Sequence, residues 1–189
     1  MLALVDALAP LAAHRGDRVV ITTMSSVAVW PTLSDSPLDF HYIPSSMGQA
    51  VPLGLGLALA RPGRGVVVVS GDGGLVMNLG CLVTLAQHAV PVCVLLIDNG
   101  LYEVTGGQAV VGAGKTDYAG IAKAAGIART FTFDAVDRWA VAASEVLSDG
   151  GPTFVWLKVK GELGKATPAP PRPMAEQIAR LRSALGVTS

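Results

Sequence analysis

Two short polar turns, Gly71-Asp72-Gly73-Gly74 and Asp98-Asn99-Gly100, restrict what this chain can fold into more than any other feature. Each follows directly on an apolar, largely β-branched run, Val66–Val69 and Val92–Ile97, of the kind buried on both faces of a parallel sheet. The residues between them, Leu75–His88, have helical length, and Pro91 bars the helix from continuing into the second run. Strand, turn, helix and strand make a βαβ unit, whose crossover is almost always right-handed. Both turns therefore lie at the carboxyl ends of neighbouring parallel strands, the edge where open α/β sheets bind ligands. The expected fold is α/β: three layers built on a doubly wound, mostly parallel sheet.

The chemistry of the turns narrows the ligand. Asp72 and Asn99 each offer a hard oxygen, which suits Mg²⁺, a cation that keeps waters and phosphate oxygens in its shell. Gly71, Gly73 and Gly74 let backbone N–H groups approach an anion where the next helix starts. A divalent cation bridged to a diphosphate satisfies both. Asp-Gly and Asn-Gly are also ordinary turn dipeptides, so neither turn is diagnostic alone. A dinucleotide-binding GxGxxG loop is excluded, because its third glycine position is Val76.

In chain order, a helix over Leu2–Ala13 leads through Gly16 to a strand over Arg18–Thr23. The hydroxyl-rich turn Thr23-Met24-Ser25-Ser26 follows on the ligand edge; such residues ordinarily cap a helix. Trp30–Pro44 reads as a loop long enough to be functional, with His41 and Tyr42 near the same edge. Ser45-Ser46-Met47-Gly48 precedes a helix over Gln49–Ala60, in which Gly54 and Gly56 permit close packing. Alone, Met47 reads as a core methionine. Beyond the second turn, the glycines up to Gly114 predict a mobile segment that carries Glu103 and Gln108. Either residue is a substrate-facing group or part of a solvated loop. The pattern then returns to scaffold: helix Tyr118–Gly126, strand Arg129–Phe133, helix Ala135–Leu147, strand Thr153–Val159. A proline-rich connector over 161–173 and an amphipathic helix over Met174–Leu185 end a single domain whose core spans 16–160.

Half of the 189 residues are apolar and only 15% are charged, and the mean hydropathy is +0.50. Such low polarity points to an extensive subunit interface, although a large buried sheet contributes to the same signal. Zero formal net charge argues against a nucleic-acid partner. No apolar run has the length of a membrane span. The N-terminal stretch lacks a basic start and carries Asp6, so a first helix is expected rather than a signal peptide. Cys81 and Cys93 lie in apolar stretches and read as reduced core residues of a cytoplasmic protein.

SSMGQAVPLGLGLALARP, VVVVSGDGGLVMNLG and LLIDNGLYEVTGGQ together resemble the thiamine diphosphate-binding half of the sulfopyruvate and phosphonopyruvate decarboxylases. A free-standing chain of this length resembles in particular the β subunit of the two-subunit forms. By this resemblance, Asp72, Asn99 and the carbonyl of Leu101 hold Mg²⁺. The backbone around Gly73 and Gly74 holds the diphosphate, and Gly71 and Tyr102 are counted with them as cofactor-binding residues. Thr23 and Ser25 match a turn that touches it, with Met24 in place of the usual glycine. Met47 matches the bulky residue that bends the cofactor, and the carbonyl of Ser45 accepts from its 4′-amino group. Met47 and Glu103 are the expected catalytic residues. The resemblance further implies decarboxylation of a small 2-oxoacid, with the cofactor as electron sink. It also implies a partner: the glutamate that activates the aminopyrimidine belongs to a pyrimidine-binding domain that nothing here resembles. An α/β hetero-oligomer, inactive as this chain alone, is therefore expected. A carboligase, a 2-oxoacid oxidoreductase or a non-catalytic cofactor-binding subunit are the alternatives. Two scattered cysteines cannot hold the iron–sulfur cluster that an oxidoreductase normally brings.

Overall fold

The computed structural model describes residues 1–148 and 150–187. Its elements, in chain order, are α1 (Leu4–His14), β1 (Val19–Thr22), α2 (Ser25–Val29), β2 (Asp39–His41), α3 (Ala50–Ala60), β3 (Val66–Gly71), α4 (Asp72–Val76) and α5 (Gly80–Ala86). There follow β4 (Val92–Asp98), β5 (Leu101–Tyr102), β6 (Gln108–Ala109), α6 (Tyr118–Ala124), β7 (Arg129–Phe133), α7 (Val136–Val146), β8 (Thr153–Lys158) and α8 (Met174–Ala184). Six strands form one sheet in the order β2-β1-β3-β4-β8-β7, and every pair in it is parallel.

Alternation along the central strands produces the layers. Val66 and Val68 of β3, with Val92, Val94 and Leu96 of β4, face a core closed by residues of α3, α5, α6 and α8. Val67 and Val69, with Cys93, Leu95 and Ile97, face a second core closed by α1 and α7. Because both faces are covered, β3 over Val66–Val69 and β4 over Val92–Ile97 are apolar at every position rather than at every second one. The Trp139 indole N–H donates to the Ala7 carbonyl at 2.9 Å and pins α7 to α1. Cys81 belongs to the first core and Cys93 to the second, so the sheet itself separates the two free thiols. Burial pushes the Cys81 thiol up to about 11 and that of Cys93 up to about 12, so both stay protonated and inert near neutrality.

Three local expectations are corrected. Trp30–Pro44 is not all loop: it holds the edge strand β2, preceded by a 3₁₀ turn over Trp30–Thr32. The polar ends of β2 hid it, and they are satisfied only by tertiary partners. Asp39 pairs with the buried Arg15 guanidinium, and the Thr22 hydroxyl lies 3.0 Å from His41 Nδ1. The helix expected over Leu75–His88 is two helices, interrupted at 77–79 and beginning earlier, at Asp72. At the break the Asn78 side-chain amide donates to the Gly48 carbonyl at 3.0 Å, tying it to the segment before α3. Finally, the glycine-rich stretch after the second turn contains an antiparallel hairpin, β5–β6, with Tyr102 opposite Gln108. Gly106 and Gly107 supply the positive φ angles, 133° and 74°, that its turn requires.

Gly54 and Gly56 behave differently. A Cβ on Gly54 would drive into the Val68 side chain, so its absence sets how closely α3 lies on β3; a Cβ on Gly56 would meet nothing within 4 Å. Gly54→Ala should therefore lower stability by about 1–3 kcal/mol. Gly56→Ala should raise it by up to about 1 kcal/mol through helix propensity. Denaturant unfolding of the two variants, read at a common slope, checks both signs.

Candidate functional site

The sheet topology selects one crevice. From β1 the chain moves outward to β2, whereas from β3 it moves the other way to β4. The carboxyl ends of β1 and β3 therefore flank a switch point, where open α/β sheets accept ligands. A cavity at this point is lined by Thr23, Ser25, Met47, Gly71–Gly74, Asn99, Leu101, Tyr102 and Glu103. An adjoining recess is lined by Ser45 together with Thr23, Met47, Gly71 and Gly74. All the site residues expected from sequence therefore border one of two contiguous hollows.

Register explains the meeting of the two polar turns. Gly71 pairs with Ile97, so the residues just beyond each strand emerge side by side. The Gly100 N–H donates to Asp72 Oδ2 at 3.1 Å, and the Leu101 N–H to Asn99 Oδ1 at 2.9 Å. Asp72 is only 1% exposed. Burial, then the neighbouring Asp98 carboxylate, push its pKa up to about 7, against weaker hydrogen bonds from the backbone of Gly73 and Gly100. Asp98 Oδ2 accepts from the Trp156 indole N–H at 2.8 Å, and Lys158 Nζ lies 4.7 Å from that ring's centroid. The Tyr118 ring meets Trp156 edge-on at 5.5 Å, and its hydroxyl is raised to about 12 by burial and by Asp72 and Asp98.

The oxygen set fits Mg²⁺: a carboxylate, an amide oxygen and a main-chain carbonyl are hard donors that leave room for waters and phosphate oxygens. No group of three or more His, Cys, Asp or Glu is placed to hold a metal among the described residues. The glycines form a cradle. Gly71 has no atom within 4 Å of where its Cβ would stand, whereas at Gly73 a Cβ would collide with the Tyr102 ring. Any larger residue at 73 would push Tyr102 away and fill the approach to the backbone.

Met24 is the one non-glycine with positive φ among the described residues, at φ 47° and ψ −130°. It lines both hollows. The neighbouring Thr23 hydroxyl donates to the Val69 carbonyl at 3.0 Å, tying the end of β1 to β3. The Ser45 hydroxyl oxygen is buried with no hydrogen-bond partner. Glu103 is 5% exposed and receives the Ser25 hydroxyl at 2.5 Å and the Glu162 N–H at 2.7 Å. Lys165 Nζ lies 3.9 Å from the same carboxylate.

Other candidates fall elsewhere. His41 is buried in β2 against Thr22, whereas Tyr42 lines the recess. Gln108 is exposed on β6. Of the basic side chains that an anionic substrate could use, Arg64 pairs with Asp17, just before β1 at the amino end of the sheet, and Lys115 lines a separate crevice that borders Asn99. The sequence reading missed Lys165 and the Glu162 amide. Both lie in the proline-rich connector, where no local pattern signals that the chain folds back over the hairpin.

The model of the thiamine pyrophosphate enzyme C-terminal TPP-binding domain matches residues 23–157. With the fold and the paired turns, this match shows that the chain belongs to the thiamine pyrophosphate enzymes, as their TPP-binding domain. Among its relatives, phosphonopyruvate decarboxylase of Streptomyces viridochromogenes is 38% identical over 162 residues, 82% of this chain and 40% of the relative. Sulfopyruvate decarboxylase subunit beta of Methanothermobacter thermautotrophicus is 37% identical over 132 residues, 68% of this chain and 66% of the relative. The chain thus spans less than two thirds of either. The benzoylformate decarboxylase of Polynucleobacter necessarius superposes with a TM-score of 0.70 at 20% identity, covering 86% of this chain and 34% of that one, a likeness of fold. No helix among the described residues is long and apolar enough to cross a membrane.

Two predictions follow from the site. Asp72 holds its proton more tightly in the folded state, up to about pH 7, than in the unfolded chain, where it titrates in the ordinary carboxylate range near 3.8. The folded state therefore binds the extra proton in this window, and stability of the metal-free chain falls as pH rises from about 4 to 7, by at most about 1.4 kcal/mol per pH unit. Asp72→Asn should flatten that segment of a stability–pH profile measured by urea unfolding. At Met24 the usual order of residues inverts: Met24→Gly should be more stable than Met24→Ala by about 1 kcal/mol, because only glycine adopts this backbone without strain. Thermal unfolding of the pair is the check.

Proposed function

We propose that this chain supplies the diphosphate- and Mg²⁺-binding half of a thiamine diphosphate-dependent decarboxylase acting on a small 2-oxoacid of the sulfopyruvate or phosphonopyruvate kind. The observation that supports this reading is that Asp72, Asn99, Leu101, Gly73 and Met47 line one cavity, with the two polar turns joined by the Gly100 N–H to Asp72 hydrogen bond. Asp72, Asn99 and Leu101 would hold Mg²⁺ through one oxygen each. The backbone of Gly73 and Gly74 and the Ser25 hydroxyl would hold the diphosphate. Met47, bordering both hollows, would press the bound cofactor into a bend, and the Ser45 carbonyl would accept from its amino group. The cofactor, once bound, supplies an electron sink for the pair released with carbon dioxide.

This chain's own part is to orient, to neutralise and to exclude water. Mg²⁺ would keep Asp72 ionised against the burial that otherwise protonates it. Asp72 and Glu103 are the two carboxylates that line the cavity. With Asp72 engaged by metal, Glu103 is left to exchange a proton or to orient substrate.

The activating glutamate is assigned to a pyrimidine-binding α partner. Support comes from the relative named as a beta subunit and from the share of the longer relatives that this chain leaves uncovered. The apolar exposed side chains Leu59, Met77 and Val83 on and between α3 and α5 fit such an interface.

Titration calorimetry with thiamine diphosphate and Mg²⁺, with and without a copurifying subunit, tests this reading. Binding that needs the partner, followed by carbon dioxide release from a 2-oxoacid, is the expected result; no binding in either case would sink it. In the assembled enzyme, Asp72→Ala should abolish Mg²⁺-dependent cofactor binding while leaving the circular dichroism spectrum unchanged. Met47→Ala should lower kcat by about 10²-fold through misplacement of the reacting groups, with a much smaller change in cofactor Kd. Equal losses in both quantities would refute the bending role.

A further inference from the structure

Glu103 sits where three separate parts of the chain meet. Its carboxylate borders the cavity and accepts the hydroxyl of Ser25, from the turn after β1, at 2.5 Å. It also accepts the main-chain N–H of Glu162, from the connector, at 2.7 Å. Lys165, four residues from the connector's start, approaches Oε2 to 3.9 Å while also lying 3.3 Å from Glu162. The connector is fastened to the hairpin at a further point, where the Thr167 hydroxyl donates to the Val104 carbonyl at 3.0 Å. Gly161 lies against the Asn99 carbonyl and Leu101, where a Cβ would come within 2.8 Å of each. The segment 161–167 is therefore a strap across the metal-side turn and the hairpin, and Glu103 is its one buried acidic anchor among the described residues.

This arrangement conflicts with a diphosphate in the cradle. Ser25 has one proton to donate, and in this structure Glu103 receives it. A diphosphate oxygen at the neighbouring turn would compete for that proton, and its charge would repel a carboxylate that retains it. Released from Ser25, Oε2 loses a hydrogen bond and leans more fully on the ammonium of Lys165, the cation of the strap within reach. Resting on the diphosphate reading above, we propose that Glu103 is a positioning residue that couples occupancy of the diphosphate turn to closure of the strap. Ser25 is the exchanged partner: it bonds Glu103 when the turn is empty and the anion when it is filled. The strap tightens in the filled state through Lys165 and the Glu162 amide. The chemical class read by this device is a Mg²⁺-bound diphosphate, whatever organic group it carries.

The strap carries its own reporter, because trypsin cleaves after Lys165, which precedes Ala166. Limited trypsin digestion of the purified protein, with any copurifying subunit, is followed by mass spectrometry with and without Mg²⁺ and inorganic diphosphate. Calorimetry on the same samples establishes binding independently. In the wild type, diphosphate should slow cleavage after Lys165 by about two- to fivefold, the range expected from strengthening a partly exposed ion pair. Ser25→Ala should cut slowly from the outset and show no dependence on diphosphate. Glu103→Gln should cut faster than wild type, again without dependence, and the milder Ser25 variant covers the case in which Glu103→Gln fails to fold. Measurable binding with unchanged cleavage in the wild type, or a diphosphate effect retained in Ser25→Ala, would overturn the coupling while leaving the site intact. Absence of any heat of binding would overturn the diphosphate reading, and the coupling with it.

Discussion

The register between β3 and β4 is the constraint on which the rest depends. Parallel strands buried on both faces have no polar side to turn toward water, so a slip of one residue would exchange the two cores and bury the wrong side chains. With Gly71 held opposite Ile97, the residues leaving the two strands have a single relative placement, and it brings Asp72 to the backbone of Gly100. The apolar layers thus aim the polar turns. Through α3 and α5, which pack on Val66, Val68, Val92 and Val94, the first core holds in place the two strands that carry those oxygens. Gly54 belongs to the same logic, because the separation of α3 from β3 depends on a missing methyl group.

Holding Asp72 there has an electrostatic cost. It is buried, it faces a second carboxylate at Asp98, and the backbone donors from Gly73 and Gly100 do not offset both. Burial and the facing carboxylate both favour its neutral form, and a divalent cation is the natural way to restore its charge. The Trp156 indole, bonded to Asp98 with Lys158 over its ring, moderates the second carboxylate from the other side. The strain at Met24 is of a similar kind. A residue with a Cβ is held where glycine would be relaxed, at the turn facing the cradle, and surrounding bonds such as Thr23 to Val69 hold it in place.

The other side of the cavity is made of pieces that close over it. The β5–β6 hairpin places Tyr102 over Gly73 and Glu103 against Ser25, and the connector lies across the hairpin. These segments add no strand to the main sheet. They meet its polar turns through the Tyr102 ring on Gly73 and the Ser25–Glu103 hydrogen bond rather than through ladder hydrogen bonds.

What the sequence determined by itself was the scaffold and the two turns. Short, β-branched apolar runs bounded by Gly, Asp, Asn and Pro point to buried parallel strands, because run length, side-chain branching and turn chemistry all act over a few residues. Asp72 and Asn99 were legible as polar turn residues on the ligand edge for the same reason, whereas Met47 read locally as a core methionine and drew notice only through the resemblance. Only the tertiary structure decided the features that depend on residues far apart in the chain. The strand β2 exists because Arg15 and Thr22 satisfy Asp39 and His41, and nothing local marks it. The break between α4 and α5 is tied to Gly48, thirty residues earlier. Glu103 was legible as a carboxylate near the site, but not as the anchor of a strap. Its partners Ser25 and Glu162 lie 78 and 59 residues away, and long-range hydrogen bonds leave no periodicity in the sequence to read.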